Sequence, residues 1–444
     1  MMRRLALCLC VGCFLGGCGT DGPPPEVGSK PAGVTGASDD TLKPMMDGTA
    51  KPAEAGLTSV PKVLLSRDQL EDGWVQLFDG QTLFGWEANS DANWSVQDGV
   101  IHSDSGSPGL IVTTVPFSDY ELLCDFKLEK GGNSGVFLRT PVTPENPAED
   151  CYELNICDTH KAFQTASLVA RKKGPVGVSV EGDWHTFHVT VEGREIVVEL
   201  DGKEVLKYTD EADEPLSVGR IGLQMNGGEI RFRNVFVKPL ASKAVFNGRD
   251  LSGWRVVPGG KSTFAVVDGA IHVQDGAGFL ETEQQWGDFV LQAEAKTNGD
   301  ELNSGIFFRA EKGTGKNPSN GYELQIHNGV KQGSVSVPDN AGTGAIFRRN
   351  TARFVAAKDR EWCCLTLVAF GPRMAVWVNG LQVTDWKDDR PDDPNPRRGR
   401  RLDPGHISLQ GHDPTTNLEF RAIRVSEMAS PGDSGSASRR DGAK

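Results

Sequence analysis

The chain has 444 residues, 53 of them glycine, with 7% aromatic residues, a net charge of −13 and a pI near 5.2. That length exceeds one ordinary hydrophobic core and suits two domains of roughly 170 residues. The acidic balance argues against nucleic acid as a partner and against a basic membrane-binding surface.

Arg3 and Arg4 precede an apolar run from Leu5 to Gly17, too short to span a bilayer comfortably and flanked like an export signal. Leu15-Gly16-Gly17-Cys18 resembles a bacterial lipoprotein box. It implies a signal peptide over 1–18, lipidation of Cys18, and an envelope lipoprotein at the periplasmic face or cell surface that touches membrane through its lipid alone. An ordinary cleaved signal is the competing reading. Residues 19–68 are rich in Pro, Gly, Ser, Thr and Ala and read as a flexible tether. Four of the nine cysteines lie in the leader. The other five lack metal-site spacing and read mainly as buried small hydrophobes, with one bridge left open.

A first domain is expected over 69–240. Asp98-Gly99 between apolar alternation predicts a tight hairpin, and 119–127 predicts an alternating strand. That strand leads into Asn133-Ser134-Gly135-Val136-Phe137-Leu138-Arg139, then Tyr152-Glu153-Leu154-Asn155-Ile156. Further strands are expected at 184–191, 195–200, 220–226 and 230–237. A second domain over 241–428 repeats the plan, with Asn303-Ser304-Gly305-Ile306-Phe307-Phe308-Arg309 and Tyr322-Glu323-Leu324-Gln325-Ile326 each 170 positions after its counterpart (303 minus 133, 322 minus 152). Later landmarks drift further apart, so the second copy carries insertions, one of them the Asp-, Pro- and Arg-rich stretch 388–401, read as a surface loop. The tail 429–444 reads as disordered. Many short strands with turn signals between them predict an all-β sandwich or jelly roll in each copy.

Period-two alternation assigns faces. Tyr322, Leu324 and Ile326 go inward, as do Ile407 and Leu409. Arg309, Glu323, Gln325, His327, Gln410 and His412 then share a polar face in the second copy, and Arg139, Glu153, Asn155, Gln224 and Asn226 share one in the first. A cross-strand ion pair on a solvated face explains Glu and Arg as well as catalysis does. Taken singly, His327 and His412 suit a structural role better than a catalytic one, and Phe137 and Phe307 suit core packing better than sugar stacking. Asp158 and His160 have a spacing open to metal ligation, but two residues are a weak metal signal.

Together the opening Leu77-Phe78-Asp79-Gly80, the Asp-Gly hairpin, the Asn-Ser-Gly unit, Tyr-Glu-Leu-x-Ile and Gly-x-Ile-x-Leu-Gln resemble the 3-keto-disaccharide hydrolase domain, in both copies. The resemblance implies two tandem concanavalin A-like jelly-roll sandwiches and a carbohydrate substrate, a 3-keto-glycoside. A ketone at C3 acidifies the C2 hydrogen, so a base, an enolate stabiliser and an acid would achieve elimination at C1 followed by water addition. On that reading Glu323, Arg309 and His412 are the catalytic candidates, with Arg309 or a divalent cation stabilising the enolate. Asn303, Gln325, His327, Gln410, Arg139, Glu153 and Gln224 are the substrate-binding candidates. The first copy has Asn226 where the second has His412, which favours the second as the active one. A non-catalytic carbohydrate-binding lipoprotein is the alternative.

Overall fold

The computed structural model describes residues 59–428, apart from 319, 396 and 397. The expected leader 1–18 with Cys18, most of the tether and the tail 429–444 lie outside the described residues.

Each copy folds as an eight-stranded sheet facing a five-stranded sheet, and the strand order is the same in both. In the second copy the five-stranded sheet runs Trp254–Val256, Gly278–Trp286, Gly405–Gly411, Ser304–Ala310, Tyr322–Ile326. The first-copy equivalent runs Trp86–Ala88, Gly109–Thr113, Arg220–Met225, Ser134–Thr140, Tyr152–Ile156. Period-two sequence makes these elements. Tyr120–Leu128 alternates buried and half-buried positions along its whole length, so one face goes to the core and the other toward solvent or a neighbour. The expected hairpins form where two successive residues tolerate positive φ: Asp98 and Gly99 at 50° and 76°, Asp268 and Gly269 at 50° and 79°.

The inward assignments hold. Tyr322, Leu324, Ile326, Ile407 and Leu409 lie in the second core, and Ile221, Leu223 and Met225 in the first. All five described cysteines are free and buried, and neighbouring Cys363 and Cys364 point to opposite faces, one into the second core and the other against Leu65, Leu70 and Trp74.

The end of the expected tether is packed rather than loose. Val60 and Val63 rest on the second core and Leu65 is buried. Ser66 then opens a short helix, Arg67–Asp72, through a capping box, and Gly73 closes it at φ 104°. This segment ties the copies together. Trp377 of the second copy is buried among first-copy residues and donates its indole N–H to the Gln76 carbonyl at 2.8 Å. Gln76 N–H in turn reaches the Gly380 carbonyl at 2.8 Å, and Arg353 bonds the Asp79 carboxylate at 3.0 Å.

Candidate functional site

The two arginines of the repeated unit do not lie on the polar face. Arg139 and Arg309 sit at φ 49° and 46°, beside register shifts that interrupt pairing of their strands with the neighbour. An extra residue in a strand breaks alternation beyond it, and both side chains turn into the end of the sandwich. Arg309 is fully buried. It donates to the carbonyls of Gly287, Gly371 and Arg401 at 2.8, 2.6 and 3.0 Å and to the Asp288 carboxylate at 2.8 Å. Burial lowers the guanidinium's proton affinity and Asp288 opposes that shift. Arg139 repeats the arrangement with the carbonyls of Ser118, Gly193 and Leu216 and the Asp119 carboxylate. Arg309 as enolate stabiliser and Arg139 as substrate ligand are therefore corrected: each guanidinium is consumed in tying a strand to turns of the opposite sheet.

The remaining candidates fall in rows across the outer face of the second five-stranded sheet. Strand register sets Glu281, Ser408, Phe307 and Glu323 in one row. One step on, Phe279, Gln410, Gly305 and Gln325 form the next, and Asn303, His327 and His412 each lie one residue beyond an end of one of these strands. Gly305 lies at the centre, and its missing side chain matters. A methyl there would lie 2.8 Å from Cγ and Oε1 of Glu323, so the carboxylate leans over the glycine between two glutamines. Gln325 is fully buried, and its amide nitrogen donates to Asn303 Oδ1 at 3.0 Å and to the Asn340 carbonyl at 3.1 Å. The Oε1 atoms of Gln325 and Gln410 are buried with no hydrogen-bond partner among the described residues. Such acceptors are costly unless a donor reaches them.

Residues 343–347 run beside Tyr322–Ile326 as a further strand-like edge. Phe347 N–H reaches the Glu323 carbonyl and Gln325 N–H the Ala345 carbonyl, each at 2.9 Å. Beyond this edge a cleft of about 720 Å³ is lined by His327, Asp339, Asn340, Phe347 and Arg348. The His327 ring is nearly buried and its Nδ1 accepts Gly329 N–H at 3.2 Å, which leaves the ring proton to Nε2 in the neutral tautomer. His412 is exposed just past its strand and pairs with Asp413 at 2.9 Å. Phe307 packs edge-on against Phe279 at 5.4 Å in a small outer cluster under the 257 and 310 segments, apart from the main core.

Asp158 and His160 do not form a metal pair. Asp158 accepts the Thr165 hydroxyl at 2.6 Å and the Val180 amide at 2.8 Å, and His160 Nδ1 accepts the amides of Ala162 and Phe163. Among the described residues no three His, Cys, Asp or Glu side chains come together as a metal set. The sequence reading missed Gly305, although the Asn-Ser-Gly motif carried it; the signal was a glycine held inside a strand in both copies.

Residues 73–238 and again 241–426 match the family described as the 3-keto-alpha-glucoside-1,2-lyase-like domain. The chain belongs to that family. A 3-keto-disaccharide hydrolase of Bacteroides thetaiotaomicron is 26% identical, over 38% of this chain and 79% of that protein. Among solved structures, a candidate glycosyl hydrolase of Parabacteroides distasonis is 20% identical over 40% of this chain and 99% of its own, with a TM-score of 0.36. A carbohydrate-binding module of Bacillus subtilis is also 20% identical, over 35% and 95%, with a TM-score of 0.28.

The two 3-keto-alpha-glucoside-1,2-lyase-like copies differ within the same rows. The first keeps Phe137 level with Glu153, and Gly135 level with Asn155. Its Gln224 Oε1 is likewise buried without a partner among the described residues. Burial pushes the Glu153 carboxyl up, with a hydrogen bond from Gln224 opposing. But Cys157 and Asn226 stand where the second copy has His327 and His412. The first copy thus retains acceptors and an acid and lacks both imidazoles.

Proposed function

We propose that this protein processes 3-keto-glycosides on the outer face of its second domain, with Glu323 as the base. The observation that supports it most directly is the Glu323 carboxylate over Gly305, flanked by the buried amide oxygens of Gln325 and Gln410, which have no hydrogen-bond partner among the described residues. Sugar hydroxyls are donors that fit those acceptors, and a carboxylate beside them is placed to take the acidic C2 proton. Electron density moves onto the C3 oxygen, where His327 Nε2–H and the Asn303 amide are the donors that replace Arg309 in this reading. The C1–O bond then breaks, and the leaving oxygen takes a proton from His412. Water adds at C1 of the resulting enone and gives its proton back to His412, while C2 regains its proton from Glu323, for net hydrolysis.

The test uses the full chain and a 3-keto-glucoside. Glu323→Gln should lower kcat by about 100-fold or more, whereas Glu153→Gln should leave turnover within about twofold of the starting protein. Full turnover by the Glu323 variant removes the assignment. For the first domain we favour glycan binding without turnover, since it keeps Gln224 and Glu153 and lacks the imidazoles. The lipoprotein-like Leu15-Gly16-Gly17-Cys18 supports an envelope anchor at Cys18, and failure of the full chain to take up labelled fatty acid in a bacterial host would dismiss it.

A further inference from the structure

A second cleft, of about 660 Å³, lies in the first domain and is lined by Arg171, Lys172, Lys207, Tyr208, Thr209 and Glu211. Three cations and one carboxylate line it, and two carboxylates outside the lining, Glu195 and Asp210, partner two of the cations and leave exposed Lys172 without an ion pair among the described residues. Lys207 is partly used by Glu195 at 3.0 Å, a pair half exposed on both sides. Arg171 stacks 4.5 Å over the Tyr152 ring and donates to the Cys151 carbonyl at 3.2 Å, yet its Nε is buried with no partner among the described residues. Asp210 lies 3.5 Å away and already accepts the Tyr152 hydroxyl at 2.5 Å and the Ala212 amide at 3.0 Å.

In the second copy Asp388 holds the matching place and accepts the Tyr322 hydroxyl at 2.6 Å. There Arg390 bonds both oxygens of Asp388, at 2.8 and 2.7 Å, and also the carbonyls of Arg398 and Gly399. The 388–401 insertion thus folds back over the position with its own cation. The first copy has Ala212 at the level of Arg390 and no such insertion, and its cations border an open cleft.

We propose that this cleft binds the carboxylate of an acidic sugar. A single carboxylate meets exposed Lys172 and Lys207, whose present partner Glu195 is half exposed and exchangeable, while the Tyr208 ring and Thr209 hydroxyl beside the cations suit a saccharide body. The choice of a sugar as carrier rests on the glycoside reading above; the charge argument does not.

The experiment is calorimetric titration of the full chain with glucuronate, glucose and sodium sulfate. Glucuronate should bind, weaken as salt rises from about 50 to about 300 mM, and bind about tenfold more weakly to the exposed-site variant Lys172→Glu. Lys207→Glu should act in the same direction, and 3-keto-glucoside turnover should be unchanged in both. Equal glucuronate affinity in the two variants and the starting protein would overturn the site. Glucose binding as well as glucuronate would overturn the anionic requirement, and sulfate binding as well would overturn the saccharide. Loss of the glycoside activity in Glu323→Gln is read separately, so the two readings fail independently.

Discussion

Glu153 and Glu323 hold the same row position in the two copies, and burial gives the first an unusual affinity for its proton. Because its folded carboxyl is raised above the unfolded value, the native state binds the proton more tightly than the unfolded chain does. Stability from this group is therefore fully present below the unfolded pKa and is lost as pH rises through the folded one. Glu153→Gln removes that loss. We expect its melting temperature to exceed that of the starting protein by about 2 °C at pH 7 to 8, with the difference vanishing near pH 4; scanning calorimetry at the two pH values checks this, and a constant offset would contradict it. Alternation alone put Glu153, Gln224, Glu323, Gln325 and Gln410 on the outer face correctly, since side chains in an unbroken strand have no other choice. It could not show that Gln325 is fully buried there, because loop segments cover the row and loops carry no periodicity.

The strand that ends in Arg309 shows where alternation stops being informative. Counting by twos from Asn303 places Arg309 outward, but the left-handed backbone at 309 turns the side chain into the sandwich end, onto the carbonyls of three separate segments and one carboxylate. A bulge leaves little trace in residue type, and arginine is not a residue that advertises positive φ. The structural role has an energetic signature. Arg309→Ala leaves buried carbonyls without a donor and takes one partner from Asp288, and we expect a stability loss of about 3–5 kcal/mol in urea unfolding. A loss under about 1 kcal/mol with selective loss of kcat would instead put Arg309 in the chemistry. The same element logic separates the paired loops: Thr343 and Thr165 both cap their neighbouring strand, through Asn328 and Asp158 respectively, so Asp158 serves architecture and not a metal.

At the scale of the molecule the two copies are joined through a surface that periodicity left unassigned. Trp377 lies on the outer face of the second eight-stranded sheet, and its indole is buried against the first copy. Truncating it removes large apolar contact and one hydrogen bond to Gln76. We expect Trp377→Ala to cost about 3–5 kcal/mol and to separate one thermal transition into two; calorimetry that shows a single unshifted peak would mean the copies are not coupled through this contact.

Residue order alone determined the tandem plan, the all-β class, the hairpins at Asp-Gly and the inward faces of the strands, because these follow from local sterics and from a two-residue repeat that any pleated strand must obey. The tertiary structure decided the rest. It showed that both arginines are architectural, that Gly305 makes room for Glu323, that residues 60–72 dock instead of trailing, and that one copy closes a cleft the other leaves open. Each of these depends on groups far apart in the chain meeting at one point, a relation that no local pattern encodes.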